Sequence, residues 1–320
     1  CFPNKASGVA TIVEQCEMAF ARLGIPIRYY AQSPTIEDDA WLTADQAIQK
    51  WPKVAAANWH AVARFWGDYL MTQYHAPGLI ADLGSTTLDL TIVAPQQPLQ
   101  PATDWERIQQ GRLIYTGARR SPLSMILPAV NFHGLTVPLA QELFATIHDA
   151  YLMTGLLAED EDQTATADGR PATRIHAAQR IAKLFCSDAQ ELPAELIQEV
   201  AEQAQQKHLQ QIATALDRLW SEAPTLSWLL ILGEGERLLN ASIPLTRKSF
   251  VAGTSKSSVA GTSKDFATRT SKDFAAGTSK DFATGTSKDF AAGTIQRGAE
   301  LLGPDLSRAM PAVAIAFLAP

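Results

Sequence analysis

The sequence predicts an α/β or α+β fold, and three observations carry that reading. Apolar residues recur at helical spacing in several separated segments. Short apolar runs of strand length lie between them. The two kinds of segment are interspersed along the 320 residues rather than gathered into blocks. That length has room for one large domain or two ordinary ones.

The elements follow in order. Val9 to Leu23 is a predicted helix, with Ile12, Cys16, Ala19, Phe20 and Leu23 on its apolar side and Gly24 at its end. Pro26 to Tyr30 reads as a short strand. Ala55 to Met71 is a second helix carrying Trp59, Val62, Phe65, Trp66 and Tyr69. Leu79 to Leu83 is a buried strand, a tight turn follows, and Leu88 to Val93 is its partner with Leu88, Leu90 and Ile92 on one face. Leu113 to Thr116 reads as a short strand entering a Gly-Ala-Arg-Arg turn. Helices are predicted over Glu142–Leu157, Pro171–Phe185 and Ala194–Trp220. Trp228 to Leu232 is a wholly apolar strand running into Gly233-Glu234-Gly235-Glu236 and a further helix.

Residues 245–292 are of another kind: six tandem octapeptides, the last four nearly identical copies of Gly-Thr-Ser-Lys-Asp-Phe-Ala-Thr/Ala. A period of eight is far below the ~20–50 residues of packed repeats. On a helix the phenylalanines would wind around the surface, by about 80° per copy. In a strand Gly-Thr-Ser interrupts every copy. A flexible insertion is the expectation, and a binding array is its competitor.

Composition narrows the function classes. The chain is 46% hydrophobic and 19% charged, and its net charge is -6, from 27 basic and 33 acidic residues. That balance argues against a nucleic-acid partner or an anionic membrane surface. No apolar run approaches the ~20 residues of a membrane span. Cys1, Cys16 and Cys186 are odd in number and far apart, with no metal-binding spacing, so a reduced cytoplasmic setting is expected. The start at Cys1 reads as mid-protein sequence, so a preceding segment is expected.

Asp82-Leu83-Gly84-Ser85-Thr86-Thr87-Leu88-Asp89 is the segment that points to chemistry. Gly84 lets a backbone N–H approach an oxygen closely, and Ser85, Thr86 and Thr87 add hydroxyl donors. Asp82, at a strand end, suits a hydrated magnesium ion, and Asp89 is placed to join it or to orient the turn. An ordinary polar hairpin is the competing reading. Arg119 and Arg120 follow a glycine turn and suit a diphosphate, against a plain surface pair. Asp168, in Asp168-Gly169-Arg170, is a candidate base or ligand, against a turn residue. Asn58, His60, His148 and His176 read as structural before catalytic. Glu142 and Asp149, seven apart, read as a solvated acidic face of one helix.

The hairpin resembles the phosphate-binding hairpin of the superfamily of acetate and sugar kinases, heat-shock chaperones and actin, whose pattern is D-[LIV]-G-x-x-T-x-D-x-x-[LIV]. Asp82, Leu83, Gly84, Thr87, Asp89 and Ile92 fall in that register. Leu229 to Glu236 resembles the superfamily's later strand-to-glycine turn, which implies roles for Gly233 and Gly235. The broad match is to the hydantoinase A/oxoprolinase family, and within it to proteins of methanofuran biosynthesis and tetrahydromethanopterin-linked one-carbon transfer. Residues 1–5, 57–60, 82–89, 115–122, 142–146, 166–173, 180–188 and 311–316 carry it. The family's N-terminal Asp-x-Gly-Gly loop is absent, and the octapeptides are not a family feature.

The resemblance implies an actin-like/ribonuclease H-like fold in four parts. Residues 1–75 would be the remainder of an N-terminal subdomain and 76–244 the core. Residues 245–292 would be the insertion and 293–320 a closing C-terminal helix. It implies a cytoplasmic transferase that joins a furan-methyl diphosphate to a glutamylated tyramine or tyrosine phenol and releases pyrophosphate. Asp82 and Asp168 would be catalytic, and Asp82 and Asp89 would hold Mg²⁺. Gly84, Ser85, Thr86, Thr87, Arg119, Arg120, Gly233 and Gly235 would bind phosphate. The expected partner is the small diphosphate substrate, with neither nucleic acid nor membrane; ATP binding and the oligomeric state stay open. An ATP-dependent hydantoinase- or oxoprolinase-like hydrolase and a non-catalytic nucleotide-binding scaffold are the alternatives.

Overall fold

The structure is a computed structural model that describes residues 2–21, 24, 26–34, 40–95, 97, 99–246 and 294–297. The octapeptide array and nearly all of the predicted closing helix lie outside the described residues.

The apolar run Trp228–Leu232 and the hairpin strands Gly78–Leu83 and Leu88–Val93 form the centre of one five-stranded sheet. In chain order the strands are β3 (Gly78–Leu83), β4 (Leu88–Val93), β5 (Leu113–Ile114), β8 (Trp228–Leu232) and β9 (Thr294–Arg297). Across the sheet they run β5-β4-β3-β8-β9. The first three form an antiparallel meander, and β8 and β9 then add in parallel on the far side of β3. The four residues of β9 are therefore strand, where a helix is expected from the sequence. Two small ribbons flank the sheet. One is β1 (Tyr29–Tyr30) with β2 (Trp41–Leu42), the other β6 (Ala129–Phe132) with β7 (Leu135–Pro138). The second is turned by His133 and Gly134, both at positive φ, which is the backbone a two-residue hairpin demands.

Alternation along the strands splits the core in two. Leu79, Ala81, Leu83, Leu88, Leu90, Leu229 and Ile231 face one side. There they meet α7 (Ile147–Thr154), α9 (Ala194–Glu222) and α10 (Glu236–Ser242). Ile80, Val93, Trp228, Leu230 and Leu232 face the other, under Ala61, Val62, Phe65, Trp66 and Leu70 of α4 (Asn58–Tyr74). Each fully buried leucine or isoleucine contributes about 1.5–3 kcal/mol, so these two layers fix the sheet. Leu196, Ile197, Val200, Ala204, Ile212, Leu216 and Leu219 recur at helical spacing, and they bury one stripe of the 29-residue α9.

Most predicted elements appear within a few residues of their expected ends. Helix α1 spans Lys5–Phe20 and α8 spans Arg174–Lys183. The predicted helix over 142–157 is the clear departure, since only Ile147–Thr154 is helical. Backbone groups of the preceding stretch are used elsewhere: Ala140 N–H donates to Leu184 O and Leu123 N–H to Ala145 O. The Asp149 carboxylate then accepts from Thr146 N–H and fixes the helix start, and Gly155 at positive φ ends it. Glu142 and Asp149 thus share no helix. Among the described residues no helix is long and apolar enough to cross a membrane.

Gly78 is where close packing leaves no latitude. A Cβ there would stand 2.0 Å from the Trp228 ring atoms of the paired strand, and that indole is pinned by donating to Ala76 O at 2.9 Å. Gly78→Ala is expected to lower stability by about 2–4 kcal/mol, read as a shift of the urea midpoint with loss of the tryptophan near-UV signal.

Candidate functional site

Three turns meet at the end of β3. The first is the hairpin tip itself, residues 84–87. Gly84 N–H donates to Thr87 O at 2.9 Å, so the turn is closed by its own backbone. The second is the loop 116–121 after β5. Ala118 N–H donates to Gly84 O at 2.9 Å, and Arg119 and Arg120 N–H both donate to Ser85 O, at 3.1 and 2.8 Å. Gly117 is glycine because a Cβ would lie 2.4 Å from Thr86 N and 2.5 Å from Ser85 O. The third is the Gly233-Glu234-Gly235 turn after β8. A Cβ on Gly233 would meet Asp82 Oδ1 at 2.3 Å, and Gly235 N–H donates to Leu83 O at 2.7 Å.

This arrangement redistributes the roles expected from sequence. The N–H groups of Gly84 and Gly235 are already used inside the protein, so neither is free to hold an oxygen of a ligand. Gly233 and Gly235 serve the close approach of two turns. The donors left at the tip are the N–H groups of Ser85, Thr86 and Thr87, which make no hydrogen bond with the described residues, and the hydroxyls of Ser85 and Thr86; the Thr87 hydroxyl donates to Asp89. Arg120 is exposed, and its guanidinium has no ion-pair partner among the described residues. Arg119 closes on Glu234, joining the second turn to the third.

Asp82 and Asp89 stand directly opposite each other on β3 and β4. They are not equivalent. The Asp89 carboxylate accepts from Arg107 Nη1 at 2.5 Å and from Thr87 Oγ1 at 3.2 Å. Arg107 is buried, stacks 4.2 Å from the Trp59 ring centroid and donates to Arg112 O. Asp89 is therefore a fixed group that organises the turn. Among the described residues Asp82 has no such cation. Dense surroundings, and then the Asp89 charge, push its pKa up to about 7, although part of its surface still reaches solvent. A carboxylate held so is ready for a cation or a proton near neutral pH. Among the described residues no group of three or more His, Cys, Asp or Glu side chains is gathered for a metal. Magnesium often takes only one or two carboxylates and completes its shell with water and substrate phosphate, so Asp82 fits that mode.

Asp168 lies in a different setting. It is gripped by Arg170, through Nε at 2.7 Å, and by Arg180 Nη1 at 3.0 Å. Burial opposes its charge, but Arg170 and Arg180 outweigh that and bring its pKa down to about 2. It is a poor base. Its cluster continues inward to Asp149, which is 1% exposed and takes Arg180 Nε at 2.8 Å. The expected solvated Asp149 is thus half of a buried ion pair, because α8 covers that side of α7.

His60, His148 and His208 are buried, and burial keeps all three neutral. Burial pulls His60 down to about 4, opposed by a ring N–H interaction with the Leu99 carbonyl and reinforced by Arg64, and Nδ1 shares a 2.8 Å hydrogen bond with Tyr30. His148 is also held near 4, by burial and then by Arg119 and Arg180, with Asp160 opposing. His176 Nδ1 is 3.0 Å from the Thr173 hydroxyl at the start of α8. The sequence reading passes over His208. Its two ring nitrogens contact Thr116 Oγ1 at 2.7 Å and Tyr151 Oη at 2.5 Å, which anchors the second turn to α7 and α9. Burial holds it near 4. Only its place inside the apolar stripe of α9 hints at this in the sequence.

Comparison with known proteins decides the family. The hydantoinase/oxoprolinase family model matches residues 40–224, more than half of the chain. The chain belongs to the hydantoinase/oxoprolinase family. The match takes in the hairpin, the second turn, the Asp149–Arg180 pair and all of α9. A curated relative from Methanocaldococcus jannaschii is 25% identical over 243 residues, covering 76% of this chain and 70% of its own. It is named (4-{4-[2-(gamma-L-glutamylamino)ethyl]phenoxymethyl}furan-2-yl)methanamine synthase. A relative of the same name from Methanococcus vannielii is 28% identical over 171 residues, 53% of this chain and 77% of its own. Among solved structures, nucleotide-free acetone carboxylase aligns with 74% of this chain at 14% identity and a TM-score of 0.47. This chain spans about a third of that one, 34%.

Two outcomes follow from the charges. Asp82 keeps a proton in the folded state up to about pH 7, whereas the unfolded chain loses it near 4. Its contribution therefore grows more unfavourable to folding as pH rises from about 4 to 7. Asp82→Asn is expected to gain up to about 4 kcal/mol over the parent at pH 8 and almost nothing at pH 4, measured by denaturation in chelator. Arg180→Met, which strands Asp149, is expected to cost about 3–5 kcal/mol. Arg170→Ala, at a partly exposed pair, should cost about 1 kcal/mol or less in the same urea titrations.

Proposed function

We propose that this protein joins a furan-methyl diphosphate to the phenol of a glutamylated tyramine or tyrosine and releases pyrophosphate. The single observation that carries this reading is the tip of the β3–β4 hairpin. Unused N–H groups, the Ser85 and Thr86 hydroxyls, the backbone of the exposed Arg120 and the cation-seeking Asp82 meet there. The names of the curated relatives supply the furan, the phenol ether and the glutamyl amine. The order β5-β4-β3-β8-β9, a meander extended by two parallel strands, supports placing the hairpin in an actin-like/ribonuclease H-like scaffold. In that scaffold the hairpin holds phosphate.

In the reaction the phenol oxygen forms a bond to the furan-methyl carbon as the bond from that carbon to the diphosphate breaks. The electron pair leaves with pyrophosphate, so negative charge develops on the leaving group. Ser85 and Thr86 N–H and the Arg120 guanidinium stabilise that charge. Magnesium, when bound through Asp82, would neutralise the diphosphate. Asp89, tied to Arg107 and Thr87, keeps the tip in shape while the charge moves. The phenol proton must leave as the ether forms. Asp168 is too acidic to take it and Asp82 is engaged with the cation, so the proton passes to solvent.

The family name favours a second reading, an ATP-dependent hydrolase of a cyclic amide. Two assays separate them. Transfer predicts pyrophosphate release from a furan-methyl diphosphate, dependent on the phenol and on Mg²⁺, without ATP. Under that reading Asp82→Asn lowers kcat by about 100-fold or more. ATP turnover stimulated by a cyclic amide, with no transfer, would establish the hydrolase instead.

A further inference from the structure

Glu234 has no part in the roles assigned so far, yet it occupies the place where an anionic ligand would be expected. Its backbone is held on both sides. Gly233 is packed against Asp82 and Leu83, and Gly235 donates to Leu83 O. Its carboxylate therefore projects from a fixed turn at the end of β3. Arg119 reaches it from the opposite wall, and the Arg119 backbone is itself fixed by its hydrogen bond to Ser85 O. Both side chains are 27% exposed, so the pair is wet enough to open. It joins the two turns that flank the hairpin tip, where the Ser85 and Thr86 N–H groups make no bond with the described residues.

We propose that Glu234 is a resident counter-anion that a phosphate group of the substrate displaces from Arg119. The inference rests on reading the hairpin tip as a phosphate site. The physical reason is charge balance. Without a ligand or Glu234, Arg119 would be a partly buried cation with no counter-charge, since its neighbour His148 is neutral and the carboxylates beyond it, Asp149 and Asp168, are spent on Arg180. Glu234 neutralises it. When a diphosphate arrives, its oxygens match the guanidinium better than one carboxylate does, and Glu234 swings to solvent. The exchange sets a threshold for entry. A ligand with a single weak negative charge does not displace Glu234, whereas a diphosphate does.

Occupancy of Arg119 by Glu234 lowers the apparent affinity by the fraction of time that Arg119 is free. Neutralising Glu234 must therefore tighten phosphate binding, the opposite of what a positioning carboxylate would do. The probe is inorganic pyrophosphate with excess Mg²⁺, titrated calorimetrically into the full chain. Glu234→Gln is expected to bind it roughly three- to tenfold more tightly. Arg119→Gln should bind at least tenfold more weakly. The double variant should match Arg119→Gln alone, because Glu234 acts only through Arg119. Glu222→Gln, which removes the distant partner of Arg112 and Arg218, should match the parent. Glu234→Ala serves as a second neutral variant, and unchanged melting temperatures show that the variants fold. Equal or weaker binding by both Glu234 variants would overturn the proposal and make Glu234 a support for Arg119. No pyrophosphate binding by the parent or any variant would remove the phosphate site itself, an outcome distinct from a changed rank among variants that bind.

Discussion

The structure depends on how tightly the C-terminal end of β3 is enclosed. Three turns from distant parts of the sequence close on that one point, and backbone contacts hold them there. Gly117 and Gly233 come so near the hairpin that neither has room for a Cβ. The crowding explains the electrostatics. Asp82 is surrounded densely enough to lose much of its hydration, and the carboxylate opposite it is spent on Arg107. A lone, poorly hydrated carboxylate at the end of a rigid strand is an unstable arrangement in isolation. It makes sense where a cation or a proton is part of the work.

Around this point the charged groups form a graded sequence. Arg107 is buried and holds the half-buried Asp89, Arg119 and Glu234 are partly open, and Arg120 is exposed. Deeper in the helical layer, Asp149, Arg180, Asp168 and Arg170 form a second cluster linked through Arg180. His148 stands between the two, neutral because it is buried beside two arginines. The second cluster is structural in character. Its carboxylates are saturated by arginine, and a saturated carboxylate is a poor base and a poor ligand. The contrast between Asp82 and Asp168 is the clearest division of labour in the molecule. Two aspartates that look alike in sequence are separated by whether a cation already owns them.

The hydantoinase/oxoprolinase match extends from the second strand of the first small ribbon to the end of α9, so it takes in the hairpin with Arg107 and the Asp149–Arg180 cluster and ends before β8 and Glu234. The relatives' names describe a phenol ether built on a furan, a product whose formation needs a good leaving group and protection from water. In the proposed reaction the hairpin tip would stabilise the charge of that leaving group, and the proposed exchange at Arg119 and Glu234 would respond to its arrival.

Periodicity alone located the strands Leu79–Leu83, Leu88–Val93 and Trp228–Leu232 and the long helix from Ala194, because burial on one stripe or one face writes itself into residue spacing. The hairpin was legible for a similar reason: an Asp-Leu-Gly start, small hydroxyl residues and a second Asp are confined to eight consecutive positions. The short helix start at Ile147 was not, since residues 142–145 have helix-compatible side chains but give their backbone groups to partners far along the chain. Nor did the sequence distinguish Asp82 from Asp89 and Asp168, or reveal His208 and Glu234. Those assignments depend on which arginine or hydroxyl stands across a gap of some 3 Å, and such neighbours come from segments up to about 150 residues apart in this chain. The sequence by itself determined the central strands, the long helices and the position of the Asp-Leu-Gly hairpin, because those properties are set by local spacing. Only the tertiary structure decided which charges are neutralised and which remain available, because desolvation and ion pairing are properties of neighbours that the chain brings together only on folding.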